Sequence, residues 1–460
     1  MRPIPIFVAA LFVVACGATA QVTNSPTPAL TTAPTTVPTA PTIPPSALAT
    51  SSPSPLVSST PIPLSTPTPT GLSTPTPFVS PSTQAPSSSP SSGNFAKLDS
   101  FPASDAFEVT DVTATPSGFV AVGYGGLNGA DYYGLRQGIV WTSVDGINWT
   151  ETVDPGLVDV SPSYVVSNGT DLFMAGNLSA CSGLDDTCTD VPQAGNGIWR
   201  SSNGGAWELL PQLADMQNGY FDDMLWAGDR LVVYGGAGEN QTTTVWVSPD
   251  GSSWTSTTDL SGMDPVTSMA VSPAGLSAFG TSYDNSLGDV LLVGTASSDG
   301  MHFGLTNAPS MQGAGIDDLA AGPAAMVGVG YETTDLFNNN GVAVSSTDGT
   351  NWTEATNNDG SFAGSTLQTV HALAAGGFVA VGSGQPDDNT GLSGGIVWFS
   401  ADGSDWVRIG QLDGAFSLLD ASALGATGLV IFADEQVDLP DDSTVGIVHA
   451  WFAPLASIHS

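Results

Sequence analysis

The sequence predicts an all-β chain, a seven-bladed β-propeller of four-stranded antiparallel blades preceded by a disordered stalk. Three observations carry this. Of 460 residues, 43 are acidic, and 36 of those are Asp against 7 Glu, a bias toward turns and caps and away from exposed helix faces. A unit of two apolar strands, a polar loop, a third strand, a tight turn and a fourth strand recurs along residues 93–460. Ahead of it, residues 16–92 are almost wholly Pro, Thr, Ser and Ala.

Residues 1–15 hold one basic residue, Arg2, and an apolar run from Ile6 to Ala15. That run is too short to span a bilayer and has the pattern of a secretory signal. It ends Val13-Val14-Ala15-Cys16-Gly17, which resembles the bacterial lipobox. The resemblance implies that Cys16 is lipidated and becomes the mature N-terminus. The chain is then expected to be secreted and anchored to the outer side of the bacterial cell membrane as a lipoprotein.

The 16–92 segment contains no Asp, Glu, Lys or Arg and repeats such as Ser65-Thr66-Pro67-Thr68-Pro69-Thr70. Few apolar residues leave it unable to bury enough surface to fold. It is expected to be a stalk. In polyproline II, at ~3.1 Å per residue, it reaches up to about 200 Å. Its Ser and Thr density offers sites for O-glycosylation.

All the acids fall after residue 92, so the acidic excess behind the chain's formal charge of −37 belongs to the 93–460 domain. Nucleic acid and anionic lipid headgroups are excluded as partners of that domain by repulsion. Within it, Gly118-Phe119-Val120-Ala121-Val122-Gly123 is matched by Gly377-Phe378-Val379-Ala380-Val381-Gly382. A tight turn followed by an aromatic recurs six times: Asp145-Gly146 with Trp149, Asn203-Gly204 with Trp207, Asp250-Gly251 with Trp254, Asp299-Gly300 with Phe303, Asp348-Gly349 with Trp352, and Asp402-Gly403 with Trp406. Gly accepts positive φ and Asp bonds nearby backbone amides, which is the chemistry of a hairpin. The aromatic opens the return strand and packs between neighbouring sheets, contributing roughly 2–3 kcal/mol when fully buried. These residues are read as structural. A preceding Ser joins the same turn network.

Successive turns lie 47 to 58 residues apart, the length of one four-stranded blade. The motif Ser-x-Asp-Gly-x-x-Trp resembles the Asp-box, or BNR repeat, of sialidases, sortilin-type receptors and photosystem II assembly factors. It has one residue fewer between Asp and Gly. A seventh unit, Thr427–Phe432 with Gly446–Phe452, ends after three strands. Its fourth strand is expected from residues 94–99, closing the ring and removing its exposed edges.

The loops between second and third strands vary in length and share one face. They carry many acids, including Asp387, Asp388, Asp438, Asp441 and Asp442, and the inner strands are expected to begin with Asp111, Asp223, Asp318 and Asp420. The expectation is a negative mouth suited to a ligand or cation. Ca²⁺ is the candidate ion because it takes several hard oxygen ligands. The best local candidates are Asp387-Asp388-Asn389 and Asp438 with Asp441-Asp442, although no EF-hand spacing occurs. No other cofactor is expected. Cys181 and Cys188 are placed to form a disulfide in the longest of these loops outside the cytoplasm.

The resemblance to sialidases implies three Arg clamping a carboxylate, a Tyr nucleophile with a Glu partner, and an Asp acid/base. The folded region has only Arg136, Arg200, Arg230 and Arg408, on different structural positions, and no Phe/Tyr-Arg-Ile-Pro segment. The Arg-rich patch of the photosystem assembly factors is missing as well. No catalytic set of residues assembles. The expected role is a monomeric, lipid-anchored binding or scaffold module for an extracellular protein or glycan, and the alternative is an extracellular glycoside hydrolase using carboxylates of the loop face.

Overall fold

The computed structural model describes residues 95–99, 101–102, 106–126, 136–178, 195–202, 204–238, 240–284, 289–333, 339–357, 359–384, 393–414, 416, 418–438 and 444–458. The chain divides into two units, Met1–Thr83 and Gln84–Ser460, and every described residue belongs to the second. Cys16 and the 16–92 stalk lie outside the described residues. Among those described, no helix is long and apolar enough to cross a membrane.

Seven antiparallel sheets build the propeller. Blade 1 runs from its inner strand Ala106–Thr115 through Gly118–Gly126 and Arg136–Ser143 to the outer strand Thr150–Val158. Blades 2 to 6 repeat this order, with inner strands Val160–Ser167, Tyr220–Trp226, Val266–Ser272, Ala314–Ala321 and Ser365–Ala372. Blade 6 gains a short fifth strand, Thr356–Asn357, parallel to its outer strand Asp405–Gln411. Blade 7 supplies Leu418–Leu424, Gly428–Asp438 and Thr444–Pro454. Its fourth strand is Ala96–Lys97, antiparallel to the third with Ala96 opposite Phe452. The expected closure is therefore present, with the strand confined to Ala96–Lys97 of the expected 94–99, residue 94 lying outside the described residues. Phe95 anchors it, 5% exposed in the core shared by blades 6 and 7.

Each tight turn is a small hydrogen-bonded device. In blade 1 the Gly146 N–H donates to Ser143 Oγ at 2.9 Å, while the N–H groups of Ile147 and Asn148 donate to Asp145 Oδ1 at 2.9 and 2.7 Å. The Trp149 indole N–H returns to the Gly146 carbonyl at 3.1 Å. The Ser-to-Gly bond recurs at 2.8–2.9 Å in blades 1 to 6. Asn203 itself lies outside the described residues, but the Gly204 N–H of that turn donates to Ser201 Oγ at 2.9 Å.

The turn glycines satisfy two demands at once. Gly146 has φ +80°, and a Cβ there would meet the Phe452 ring at 2.8 Å and Val430 at 2.9 Å in blade 7. The aromatics pack as the sequence predicts, each between its own blade and the preceding one. Trp149 sits edge-on to Phe432 of blade 7, Trp352 edge-on to Phe279 of blade 4, and Trp406 is fully buried beside Val327 and Val329 of blade 5.

The strands flanking the variable loops run further than the sequence indicates. In blade 7 the second strand continues to Asp438 and the third begins at Thr444, because alternating side chains and full cross-strand pairing extend the hairpin past the apolar core.

Candidate functional site in the central channel

Every inner strand carries a β-bulge at the same level of the ring. The register shifts between Val109 and Asp111, Pro162 and Tyr164, Phe221 and Asp223, Val266 and Ser268, Ile316 and Asp318, Leu367 and Thr369, and Leu419 and Ala421. A bulge inserts one extra residue and re-aims the side chains around it. Here the extra residues include Asp222, Asp317 and Asp420, and the residues immediately after the bulge include Asp111, Asp223 and Asp318.

This placement differs from the expected one. The acids sit in the middle of the inner strands rather than at their starts, inside the channel. Asp111 accepts the Val112 N–H at 2.7 Å and, across the blade junction, the Val165 N–H of blade 2 at 2.7 Å. Asp318 repeats the arrangement, accepting Leu319 N–H at 2.7 Å and Val370 N–H of blade 6 at 2.8 Å. Asp223 accepts Met224 N–H at 2.6 Å and the Tyr234 hydroxyl at 3.3 Å. The physical reason is the bulge itself, which leaves backbone N–H groups without ladder partners and brings a carboxylate within reach of them.

Neutral side chains do comparable work at other junctions. Thr110 donates to the Pro162 carbonyl at 3.0 Å, and Thr267 to the Ile316 carbonyl at 2.7 Å. Between blades 6 and 7, Ser422 Oγ lies 2.6 Å from Thr369 Oγ1 and 2.7 Å from His371 Nε2. His371 is thus a packed junction residue, and burial pushes it down to about 4, leaving it neutral.

Enclosure by the ring dominates the channel's electrostatics. Burial raises Asp111 well above the usual carboxylate range, opposed by the Val165 N–H and reinforced by Asp223 and Asp318. Burial likewise lifts Asp222 and Asp223 to about 6 and Asp317 and Asp318 to about 7. Asp317 itself is exposed, whereas Asp318 beside it is only partly so. The channel is less negative near neutral pH than its number of carboxyls implies.

The remaining predicted site residues separate from this cluster. Asp387, Asp388, Asp441, Asp442, Cys181 and Cys188 lie outside the described residues, as do the side chains of Asp420 and Asp438. Among the described residues, no three His, Cys, Asp or Glu come together as a metal site. The four arginines diverge. Arg136 stacks over Tyr124 at 4.5 Å and donates to Ser161, Arg200 faces Glu208 at 3.7 Å, Arg230 pairs with Asp229 at 2.7 Å, and Arg408 donates to Gln411 at 2.8 Å.

Two clefts open on the face that carries the second-to-third-strand connections. One of 410 Å³ lies on blade 3, lined by Asn240, Thr242, Thr244, Ser256 and Thr257 with Asp215 at its side. Another, of 230 Å³, lies where blade 2 meets the helical turn Ala214–Gln217 and includes Asn196, Gln212 and Gln217. The first is lined chiefly by hydroxyls, and the second sets these amides among Leu178, Leu209, Leu210 and Pro211.

Sequence reasoning missed Asp222 and Asp317, which have no hydrogen-bond partner among the described residues. A signal for them exists. Phe221-Asp222-Asp223-Met224 and Ile316-Asp317-Asp318-Leu319 repeat one pattern on strands whose neighbours are apolar.

No family model matches the sequence, and no curated protein matches it. Among solved structures, the chain is similar to the β-propeller domain of the Trilobed protease from Pyrococcus furiosus, at 7% identity over 75% of this chain and 95% of that one, with a TM-score of 0.47. It is also similar to the GH74 xyloglucanase from Xanthomonas campestris, at 14% identity over 76% and 55% of the two chains and a TM-score of 0.42. The sialidase of Trypanosoma rangeli in complex with DANA gives 13% identity, 77% and 56% coverage and a TM-score of 0.38. The chain thus spans just over half the length of the xyloglucanase and of the sialidase.

Proposed function

We propose that this chain is a lipid-anchored binding module, held at the outer side of a bacterial membrane through Cys16, whose loop face takes an extracellular glycan or protein. The observation that supports binding is the pair of clefts on blades 2 and 3. Uncharged hydroxyl and amide groups such as Asn196, Gln217, Asn240 and Thr242 suit the hydroxyls of a neutral glycan or the backbone of a protein. The channel carboxylates Asp111 and Asp318 are engaged by backbone N–H groups across blade junctions, a role that suits a rigid scaffold. The separated arginines speak against a three-Arg clamp.

One observation favours glycoside hydrolysis as a second reading. Asp317 faces the channel with a carboxyl lifted to about 7, in the range of a general acid. A neutral-glycan array and a hydrolysis screen on the full chain separate the two. Binding without turnover, lost on Thr242→Ala with Asn240→Ala, supports the module. Sugar release abolished by Asp317→Asn replaces it with the enzyme.

A further inference from the structure

We propose that the face bearing the tight turns, opposite the loop face, carries a second binding site, a charge-free trough that takes an extended peptide segment of a partner protein, uncharged where it lies in the trough and basic on either side. Two clefts open on this face. One of 480 Å³ lies where blade 1 meets blade 2, walled by Thr142, Val144 and Thr150 on one side and by Thr170, Leu172 and Ser202 on the other. The second, of 370 Å³, lies at the mouth of the channel, where Ala372 of blade 6 meets Leu424 and Leu455 at the end of blade 7. Thr115, Pro116, Ser167 and Gly169 line both, so the two join into one elongated trough.

Charge sets the trough apart from the rest of the surface. Among the described residues that line it there is no Asp, Glu, Lys, Arg or His, in a domain that holds all 43 acids of the chain. A charged side chain entering it would leave water without gaining a partner, so the occupant is uncharged there. The acids begin again at Asp145, next in the chain to Val144, and over the domain as a whole they repel an acidic partner and attract a basic one.

The lining suits a peptide better than a sugar. Its one aromatic among the described residues, Phe119, is 2% exposed and offers no ring face for a sugar to stack on. Apolar spots are instead spaced along the trough with hydroxyls between them, which fits the side chains and the main-chain N–H and C=O groups of an extended segment. Ser143 is committed to the turn through the Gly146 N–H, whereas the hydroxyls of Thr142, Thr150 and Thr170 bond no other described residue. Val144 is the second observation. It is 75% exposed, more than any other large hydrophobic side chain described, and it stands on the wall of the larger cleft. The other five turns hold Ser202, Pro249, Ser298, Thr347 and Ala401 in its place, so the turn itself does not require an apolar residue there.

The test pans a displayed library of random short peptides on the full chain. Selected peptides should have uncharged centres flanked by Lys or Arg and should bind more weakly as salt rises. Val144→Asp should weaken them about tenfold or more by setting a carboxylate against the apolar centre, and Val144→Ile should preserve binding. Because this side chain is mostly in water, both variants should melt as the wild type does. Leu305→Asp, which changes an apolar residue 68% exposed on blade 4, should leave peptide binding intact. So should Thr242→Ala with Asn240→Ala on the loop face, which separates this site from the one proposed there. Peptides indifferent to Val144→Asp overturn the proposal, as does a library that yields no binder. A neutral glycan whose binding is lost in Val144→Asp, with no peptide bound, also overturns it and makes the trough a sugar site.

Discussion

Lys97 and Trp451 are paired across the last two strands of the ring, with the Lys97 ammonium 5.9 Å from the indole centroid. The contact joins the start of the folded region to its end, so closure depends on a strand of only two residues and on Phe95 beside it. Removing residues 94–99 exposes the edge of Thr444–Pro454 and should lower the melting temperature by many degrees. Phe95→Ala should cost about 3–5 kcal/mol, as for a buried aromatic. Urea unfolding of both variants measures this, and wild-type melting in the deletion contradicts closure by this segment.

Gly146 and Gly169 separate two reasons for glycine. Both have positive φ, +80° and +90°, but a Cβ at Gly146 collides with Phe452 whereas at Gly169 nothing lies within 4 Å. Gly169→Ala should cost about 1–2 kcal/mol from backbone conformation alone. Gly146→Ala should cost clearly more, because the neighbouring blade must give way. Equal losses in chemical unfolding refute the steric part of this account.

The turn aspartates are shifted in the opposite direction from those in the channel. The N–H and side-chain amide of Asn148, with the Ile147 N–H, hold the Asp145 carboxyl down to about 2. Its contribution is fully present above the unfolded value near 4 and disappears as the pH falls through about 2. Asp348 and Asp299 are lowered for similar reasons, Asp299 first through His302. In Asp145→Asn the decline in melting temperature from pH 4 to pH 2 should be shallower than in the wild type.

The blade count, the turn chemistry and the closing strand were legible because each rests on local pattern: a Gly with positive φ, an aromatic three residues later, and alternation along the strands. Channel placement was not. Asp111 and Asp318 read as mouth residues because alternation alone cannot show a bulge, which shifts the register by one residue and turns a side chain inward. The bonds from Val165 to Asp111 and from Val370 to Asp318 join positions more than fifty residues apart and exist only once adjacent blades stand side by side. The clefts on blades 2 and 3 gather side chains from separate strands, so no contiguous motif announces them.

Phe303 offers a built-in control for the turn aromatics. It occupies in blade 4 the place held by Trp in the five other blades with this turn, and it is 3% exposed in the core shared with blade 3. Phe has no indole N–H to return to the turn carbonyl, yet the Gly300-to-Ser297 bond stays at 2.9 Å. The turn therefore forms without the indole hydrogen bond. At Trp406, fully buried with its N–H 3.3 Å from the Gly403 carbonyl, Trp406→Phe should cost about 1–2 kcal/mol for one hydrogen bond and some volume. Trp406→Ala should cost about 3–5 kcal/mol by opening a cavity between blades 5 and 6. Comparable losses for the two variants in urea unfolding would make the hydrogen bond, rather than the packing, the main contribution of the turn aromatic.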